Sequence, residues 1–366
     1  MIPNRLEKGD KVAIVSLSRG LMGMDFASHE LEIGLKRMEE MGLVPVIMPN
    51  ALKKLDYLFE HPEERAADLK QAFLDPEIKG IMTAIGGDDT YKTIPYLMED
   101  EEFIEAVKNN PKLFTGFSDT TNNHWMLNKL GLSTFYGPAF LVDMAELDNE
   151  MLPYTKEYFS KYFDGEPFEI ESSPIWYMDR KDFSKNAVGT PREERREEHG
   201  FEVLNGSGKV TGKLFGGCLD SIYDIYTSER YGNENEVYTK YNLLPSLDEW
   251  KEKIFFFETS EERMSPEKLE EILTYFKKQG ILEAVRGIIV GKPIDEMYYE
   301  EYKDVYKKVF TDLDTPVLYN VNFGHSYPRC IIPYDAEATI DYDNKRIFIN
   351  SRILEKNKEL EKARGK

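Results

Sequence analysis

Apolar positions along the first 140 residues alternate between two rhythms. Residues 11–17, KVAIVSL, form a near-continuous apolar run, the pattern of a strand buried on both faces. Residues 28–42, SHELEIGLKRMEEMG, switch to a 3.6-residue spacing, with Ser28 suited to the N-cap and Gly42 to the C-cap. LVPVIM (43–48) predicts the next strand, and HPEERAADLKQAFLD (61–75) a helix with Pro62 in its first turn. KGIMTAI (79–85) predicts a third strand that ends in Gly86-Gly87-Asp88-Asp89. Two helical patterns, YKTIPYLM and EEFIEAVKN, lead to a fourth strand, KLFTGF (112–117). A helix, TNNHWMLNKLG, and a fifth strand, STFYGPA, complete the series. Strands alternating with helices predict an α/β fold with a parallel sheet covered on both sides.

The rhythm then breaks. Residues 171–200, ESSPIWYMDRKDFSKNAVGTPREERREEHG, hold no clean period and read as a linker or long loop whose charges are solvated. Regular patterns resume near 205. GKVTGKLFGGCLDSIYDIY predicts a strand, a Gly-Gly turn and a helix, and IFFFE (254–258) a strand that ends on a carboxylate. SPEKLEEILTYFKKQG (265–280) predicts a helix capped by Ser265, with Pro266 at its first position and Gly280 past its end. VRGIIVG and PVLYNV predict strands separated by the helix MYYEEYKDVYKKVF, and EATIDYDNKRIFIN a hairpin. The expected organisation is an N-terminal domain over 1–165, a linker over 166–204, and a C-terminal mixed α/β domain with an antiparallel portion over 205–366.

Composition narrows the chemistry. A length of 366 residues suits two domains, and 22 tyrosines with 21 phenylalanines supply material for two cores. A formal net charge of −20 repels nucleic acid and anionic membranes at long range. No run of 18 apolar residues predicts a bilayer span, and MIPNRLEKGDKVAIVSLSRG lacks a secretory pattern, so the expected location is cytoplasmic. Two cysteines, Cys218 and Cys330, make no disulfide framework and no Cys/His metal motif, so no metal or other cofactor is expected.

The junction KLFTGFSDTT places Ser118 where a buried strand meets a helix. Read as chemistry, Ser118 is a nucleophile; read as structure, it is a turn residue. A serine nucleophile needs a base and an orienting acid. Of the five histidines, His29 lies on a predicted surface helix, His61 in a loop, His199 in the charged run, and His124 on the helix that Ser118 opens. His325 follows a strand, between Gly324 and Pro328, where α/β proteins place catalytic groups. Glu258, delivered from an apolar strand, needs a partner once desolvated. The order Ser118, Glu258, His325 is that of α/β-hydrolases, but Gly-Phe-Ser-Asp is not Gly-x-Ser-x-Gly. Candidate oxyanion donors are the amides of Gly87 or Asp88 and of Asp119; the plainer reading of Gly-Gly-Asp-Asp is a tight turn.

AIGGDDT, FTGFSDTT, LSTFYGPA, GKLFGGCLDSI, FFFETSEE and NFGHSYPRCIIPYDAEATID resemble the serine peptidases of the L,D-carboxypeptidase type, over residues 5–350. More narrowly, they resemble the branch that includes the microcin C immunity proteins. The resemblance implies a Rossmann-like N-terminal domain carrying the nucleophile and a C-terminal domain carrying the acid and the histidine. It implies a Ser118–Glu258–His325 triad, no metal, and a homodimer. It implies a substrate in which an amino acid or peptide is joined to a nucleotide, with Trp176 stacking on the base and Asp88 in the binding site; the alternative is the tetrapeptide of recycled peptidoglycan. Where the family usually has Gly-Gly-Asn-Leu, this chain has Gly216-Gly217-Cys218-Leu219. Two readings from other classes stay open: a ligand-binding α/β protein without turnover, and a cysteine-dependent amidotransferase-like enzyme using Cys218 or Cys330.

Overall fold

The computed structural model describes residues 1–357. The chain divides into two units: Met1–Glu166 with Asp182–Pro191 and the segment from Arg352, and Pro167–Lys181 with Arg192–Ser351. In the first unit, β1 (Lys11–Val15), β2 (Val44–Ile47), β3 (Ile78–Thr83), β4 (Leu113–Gly116) and β5 (Phe135–Tyr136) are all parallel, in the order β5-β4-β3-β1-β2. The apolar run of β1 is buried over Val12–Val15, as its composition dictates. β2, at the sheet's end, is half-buried to exposed. The chain reverses its direction of travel across the sheet at β1, so the loops after β1 and β3 flank a topological switch point, where open α/β sheets bind ligands.

The helices follow their sequence signals closely. Pro62–Leu74 starts on its proline, and Glu101–Asn109 is capped by Asp100, which accepts the Phe103 amide. One boundary differs: Ser28 is the first helical residue of Ser28–Glu40, and Ala27 stands at the N-cap without a side-chain bond. Gly42 follows this helix at φ +85°, a conformation that favours glycine.

The second unit is built on an eight-stranded sheet and also holds a two-residue strand, β14 (Ile332–Pro333). The sheet's centre is parallel: β10 (Lys209–Cys218), β11 (Lys253–Glu258), β12 (Gly287–Gly291) and β13 (Val317–Val321). Its flanks are antiparallel: β15 (Glu337–Asp341), β16 (Arg346–Ile349) and β6 (Phe168–Ile170) on one side, β9 (Glu202–Asn205) on the other. The expected hairpin is β15–β16. Ser265 accepts the Lys268 amide and opens the helix Pro266–Lys278, as its capping signature predicts.

Two features depart from the pattern reading. Gly216 and Gly217 make no turn; they lie inside β10, which runs on to Cys218. A Cβ on Gly216 would stand 1.6 Å from the Phe256 carbonyl oxygen, so these glycines serve a close strand approach. The aperiodic stretch 171–200 holds β7 (Ile175–Tyr177) and β8 (Glu194–Arg196), paired antiparallel, and residues 182–191 belong to the first unit. Strands of three residues are too short to imprint a period.

Candidate active site

Three strand ends meet in the first unit. Ser18, just past β1, receives the amide of Asp88 on its hydroxyl at 3.1 Å and donates to the Asp119 carboxylate at 2.7 Å. It thereby ties the loops after β1, β3 and β4 together. Asp119 also accepts the Thr90 amide at 2.9 Å and the Asn122 side-chain amide at 2.9 Å. Burial pushes its carboxyl up to about 6, with the charges of Asp89 and Asp88 adding to the shift and the Thr90 and Ser18 bonds opposing it. Below this cluster, Arg65 donates to both carboxylate oxygens of Asp89, at 2.7 and 3.1 Å, and to the Leu17 carbonyl. Both partners are buried, so losing Arg65 would strand a carboxylate at a cost of roughly 3–5 kcal/mol.

Ser118 sits two residues beyond the end of β4, after Phe117, with φ +66°. A non-glycine residue in this region is strained by the order of 1–3 kcal/mol and persists only where its surroundings impose it. Here they do. The Ser118 amide donates to the Tyr136 hydroxyl at 3.0 Å, and its carbonyl accepts the Thr121 hydroxyl at 2.7 Å. Gly86 lies against it: a Cβ there would stand 2.7 Å from the Ser118 Cβ and 2.9 Å from its Oγ. Gly87 has φ +156°, and a Cβ there would stand 2.2 Å from the Ser18 Oγ. The turn after β4 is a strained strand-to-helix elbow, with the Gly-Gly loop packed against it.

Of the expected oxyanion donors, Asp88 has its amide engaged by Ser18 and its carboxylate paired with Arg19 at 3.2 Å. Gly87 and Asp119 have amides with no hydrogen-bond acceptor among the described residues. His124 is a core histidine. It is fully buried, its Nε2 bonds the Gly116 carbonyl and its Nδ1 the Thr134 hydroxyl, and burial pushes its pKa down to about 3. His29 is buried rather than on the surface, with Nε2 2.9 Å from the Phe183 carbonyl oxygen.

In the second unit, Glu258 and His325 meet. Glu258 ends β11 with no exposed surface. Its carboxylate accepts the His325 backbone amide at 3.2 Å and stands 2.9 and 3.0 Å from Nδ1. Gly324, at φ +78°, makes room for it: a Cβ there would stand 2.2 Å from the Glu258 Cδ, and one on Gly291 2.5 Å from the Glu258 Cβ. Nε2 of His325 stands 2.7 Å from Glu261, a largely exposed carboxylate on the loop after β11. Burial alone would depress the imidazole; the charge and hydrogen bonds of Glu258, then of Glu261, outweigh it and raise the pKa to about 10. Cys218 is the register partner of Glu258 across β10 and β11. Its thiol is 3.7 Å from Asp220, and burial, reinforced by the charges of Glu258 and Asp220, pushes its pKa up. Trp176 lies in β7, buried, with the Lys292 ammonium 4.9 Å from its ring centre. Lys292 is itself buried and paired with Glu197 at 3.0 Å, so one member of the charged run is structural rather than solvated.

Sequence reasoning missed Ser18, Tyr136, Arg65 and Glu261. Tyr136 and Glu261 fall within the motif segments FYGPA and ETSEE; Ser18 carried only its place after a buried strand.

Residues 12–137 match the LD-carboxypeptidase N-terminal domain, and residues 211–340 its C-terminal domain. The chain belongs to the LD-carboxypeptidase family. It is a hydrolase of the serine peptidase type. An MccF-like protein from Streptococcus pneumoniae, solved in complex with AMP, is 44% identical with a TM-score of 0.90, over 94% of this chain and 99% of that one. The microcin C7 self-immunity protein MccF of Escherichia coli is 28% identical over 80% of this chain and 79% of its own. A probable murein peptide carboxypeptidase of Bacillus subtilis is 26% identical over 96% of this chain and 95% of its own. Among the described residues, no helix is long and apolar enough to cross a membrane.

Proposed function

We propose that this LD-carboxypeptidase family member hydrolyses the amide-type bond joining an amino acid or short peptide to a nucleotide, using Ser118 as nucleophile. His325 takes the Ser118 proton as the hydroxyl attacks the substrate carbonyl. Glu258, bound to Nδ1, fixes the ring and offsets its charge. The amides of Gly87 and Asp119 receive the oxyanion. The leaving group takes the proton from His325, and water, deprotonated by the same imidazole, releases the acyl group from Ser118. Glu261 must leave Nε2, and the proton that it and Glu258 hold on the imidazole must be released, before His325 can act as base. Trp176 offers a ring to the base, Asp88 a polar group to the substrate, and the working form is a cytoplasmic homodimer.

The observation that carries the nucleotide reading is the 44% identity, across nearly the whole chain, to an MccF-like protein solved with AMP. Peptidoglycan tetrapeptide as substrate is the second reading, favoured by the full-length likeness to the murein peptide carboxypeptidase of Bacillus subtilis. The two separate in a paired assay, with an aspartyl- or glutamyl-sulfamoyl adenosine beside a muropeptide tetrapeptide ending in D-Ala. The expected result is cleavage of the nucleotide conjugate alone, lost by at least about 10³-fold in Ser118→Ala. Cleavage of the tetrapeptide alone refutes the substrate; wild-type turnover by Ser118→Ala refutes the nucleophile.

A further inference from the structure

Cys218 has no part in the proposed reaction, yet it stands beside the two groups on which that reaction depends. Cys218, Glu258 and His325 are all buried, and each offers one ligand atom within 4.8 Å of the others. The register of β10 against β11 sets Cys218 opposite Glu258, and the Glu258–His325 bond sets the third member. Asp220, half-buried in the same unit and held by the Ser260 amide at 3.0 Å, stands 3.7 Å from the Cys218 sulfur but outside that three-residue cluster.

We propose that Cys218, Glu258 and His325 bind a thiophilic divalent cation, Zn²⁺, with water completing the shell. Zinc bonds of about 2.3 Å to sulfur and about 2.0–2.2 Å to nitrogen and oxygen place tetrahedral ligands roughly 3.5 Å apart, so side-chain movements of about an ångström close the site. Thiolate, imidazole and carboxylate together select Zn²⁺ over Mg²⁺, which prefers oxygen ligands and water. Glu258 supplies a carboxylate within the cluster, and Asp220, 3.7 Å from the Cys218 sulfur, adds negative charge beside it, which favours a cation there. As the metal binds, the thiol proton and the proton on the ligating His325 nitrogen both leave to solvent. The side-chain amide of an asparagine at position 218 would supply no thiolate. Occupied, the site withdraws Glu258 and His325 from proton transfer, and the ion acts as an inhibitor. That consequence rests on the triad reading; the binding itself does not.

The test is metal binding to the whole chain, read without turnover. Apo protein is titrated with Zn²⁺ against a chromophoric chelator, and with Co²⁺ by absorption, for wild type, Cys218→Ser, Cys218→Asn, Cys330→Ser and Ser118→Ala. The expected result is one Zn²⁺ per chain, unaffected by a large excess of Mg²⁺. Affinity should fall at least about 10-fold in both Cys218 variants. A near-ultraviolet thiolate-to-Co²⁺ charge-transfer band should appear in wild type, Cys330→Ser and Ser118→Ala. Ser118→Ala that binds Zn²⁺ but does not hydrolyse separates this proposal from the catalytic one. Absence of the band in wild type, or Zn²⁺ affinity unchanged in a folded Cys218 variant, overturns it.

Discussion

Ser118 shows how much of a site one residue can announce and how much its neighbours must supply. The strand-to-helix junction and Gly-Phe-Ser-Asp were readable because buried-strand and helix periods meet there. The elbow's enforcement was not readable, since it comes from Tyr136 and Gly86, which lie 18 residues ahead and 32 behind. Gly86→Ala tests that enforcement. Its new Cβ would meet Ser118 at 2.7 Å. A displacement near 1 Å at a nucleophile lowers kcat by roughly 100-fold, while overpacking costs about 1–3 kcal/mol of stability. A folded Gly86→Ala protein with unaltered kcat would show that the loop does not hold the serine. Glu258 and His325 were ambiguous singly, because 67 acidic residues compete for the first role. Their partnership becomes visible once the ends of β11 and β13 lie two strands apart in one sheet.

Single elements were legible where local chemistry decides them, as in the capped helix Pro266–Lys278, and illegible where a neighbour decides. The strand β10 passes straight through two glycines that locally signal a turn, because a carbonyl of β11 occupies the space of a side chain. The helix Ser28–Glu40 hides a conflict of the same origin. Its Glu30 is buried and lies near the charge of Glu146, so its carboxyl is pushed up to about 7, by burial first and by that charge second. Neighbouring Arg37 is spent on the carbonyls of Met144, Glu146 and Asp148. A carboxyl with a raised folded pKa contributes most below its unfolded pKa of about 4.5. That contribution is lost as pH rises through about 7. Glu30→Gln should therefore stabilise the protein by on the order of 2 kcal/mol at pH 8 and by little at pH 4.5. Thermal melts at the two pH values check this; an equal shift at both would mean the gain is not electrostatic.

On the scale of the whole molecule, both sheets place their candidate site residues at the C-terminal ends of parallel strands: Ser18, Gly87 and Ser118 in one unit, Cys218, Glu258 and His325 in the other. Alternating strands and helices made this fold class legible. The assignment of residues after 351 was not, since they carry no period. Residues 352–357 belong to the first unit: Ile353 donates to the Gly165 carbonyl at 2.9 Å, Leu354 is fully buried, and Glu355 exchanges backbone bonds with Pro3 and Arg5. Deletion from Arg352 onward should lower the melting temperature and expose first-unit sites to protease, with loss of buried Ile353 and Leu354 costing roughly 2–5 kcal/mol. A truncated chain that melts like the full one would refute the docking. The same clasp bears on how the protein is made. A ribosome emits the Ser118-bearing half first, yet the piece that fastens it emerges only after the entire second sheet. The half synthesised first is therefore the half completed last, and a nascent chain must carry it unfastened for nearly two hundred residues of elongation.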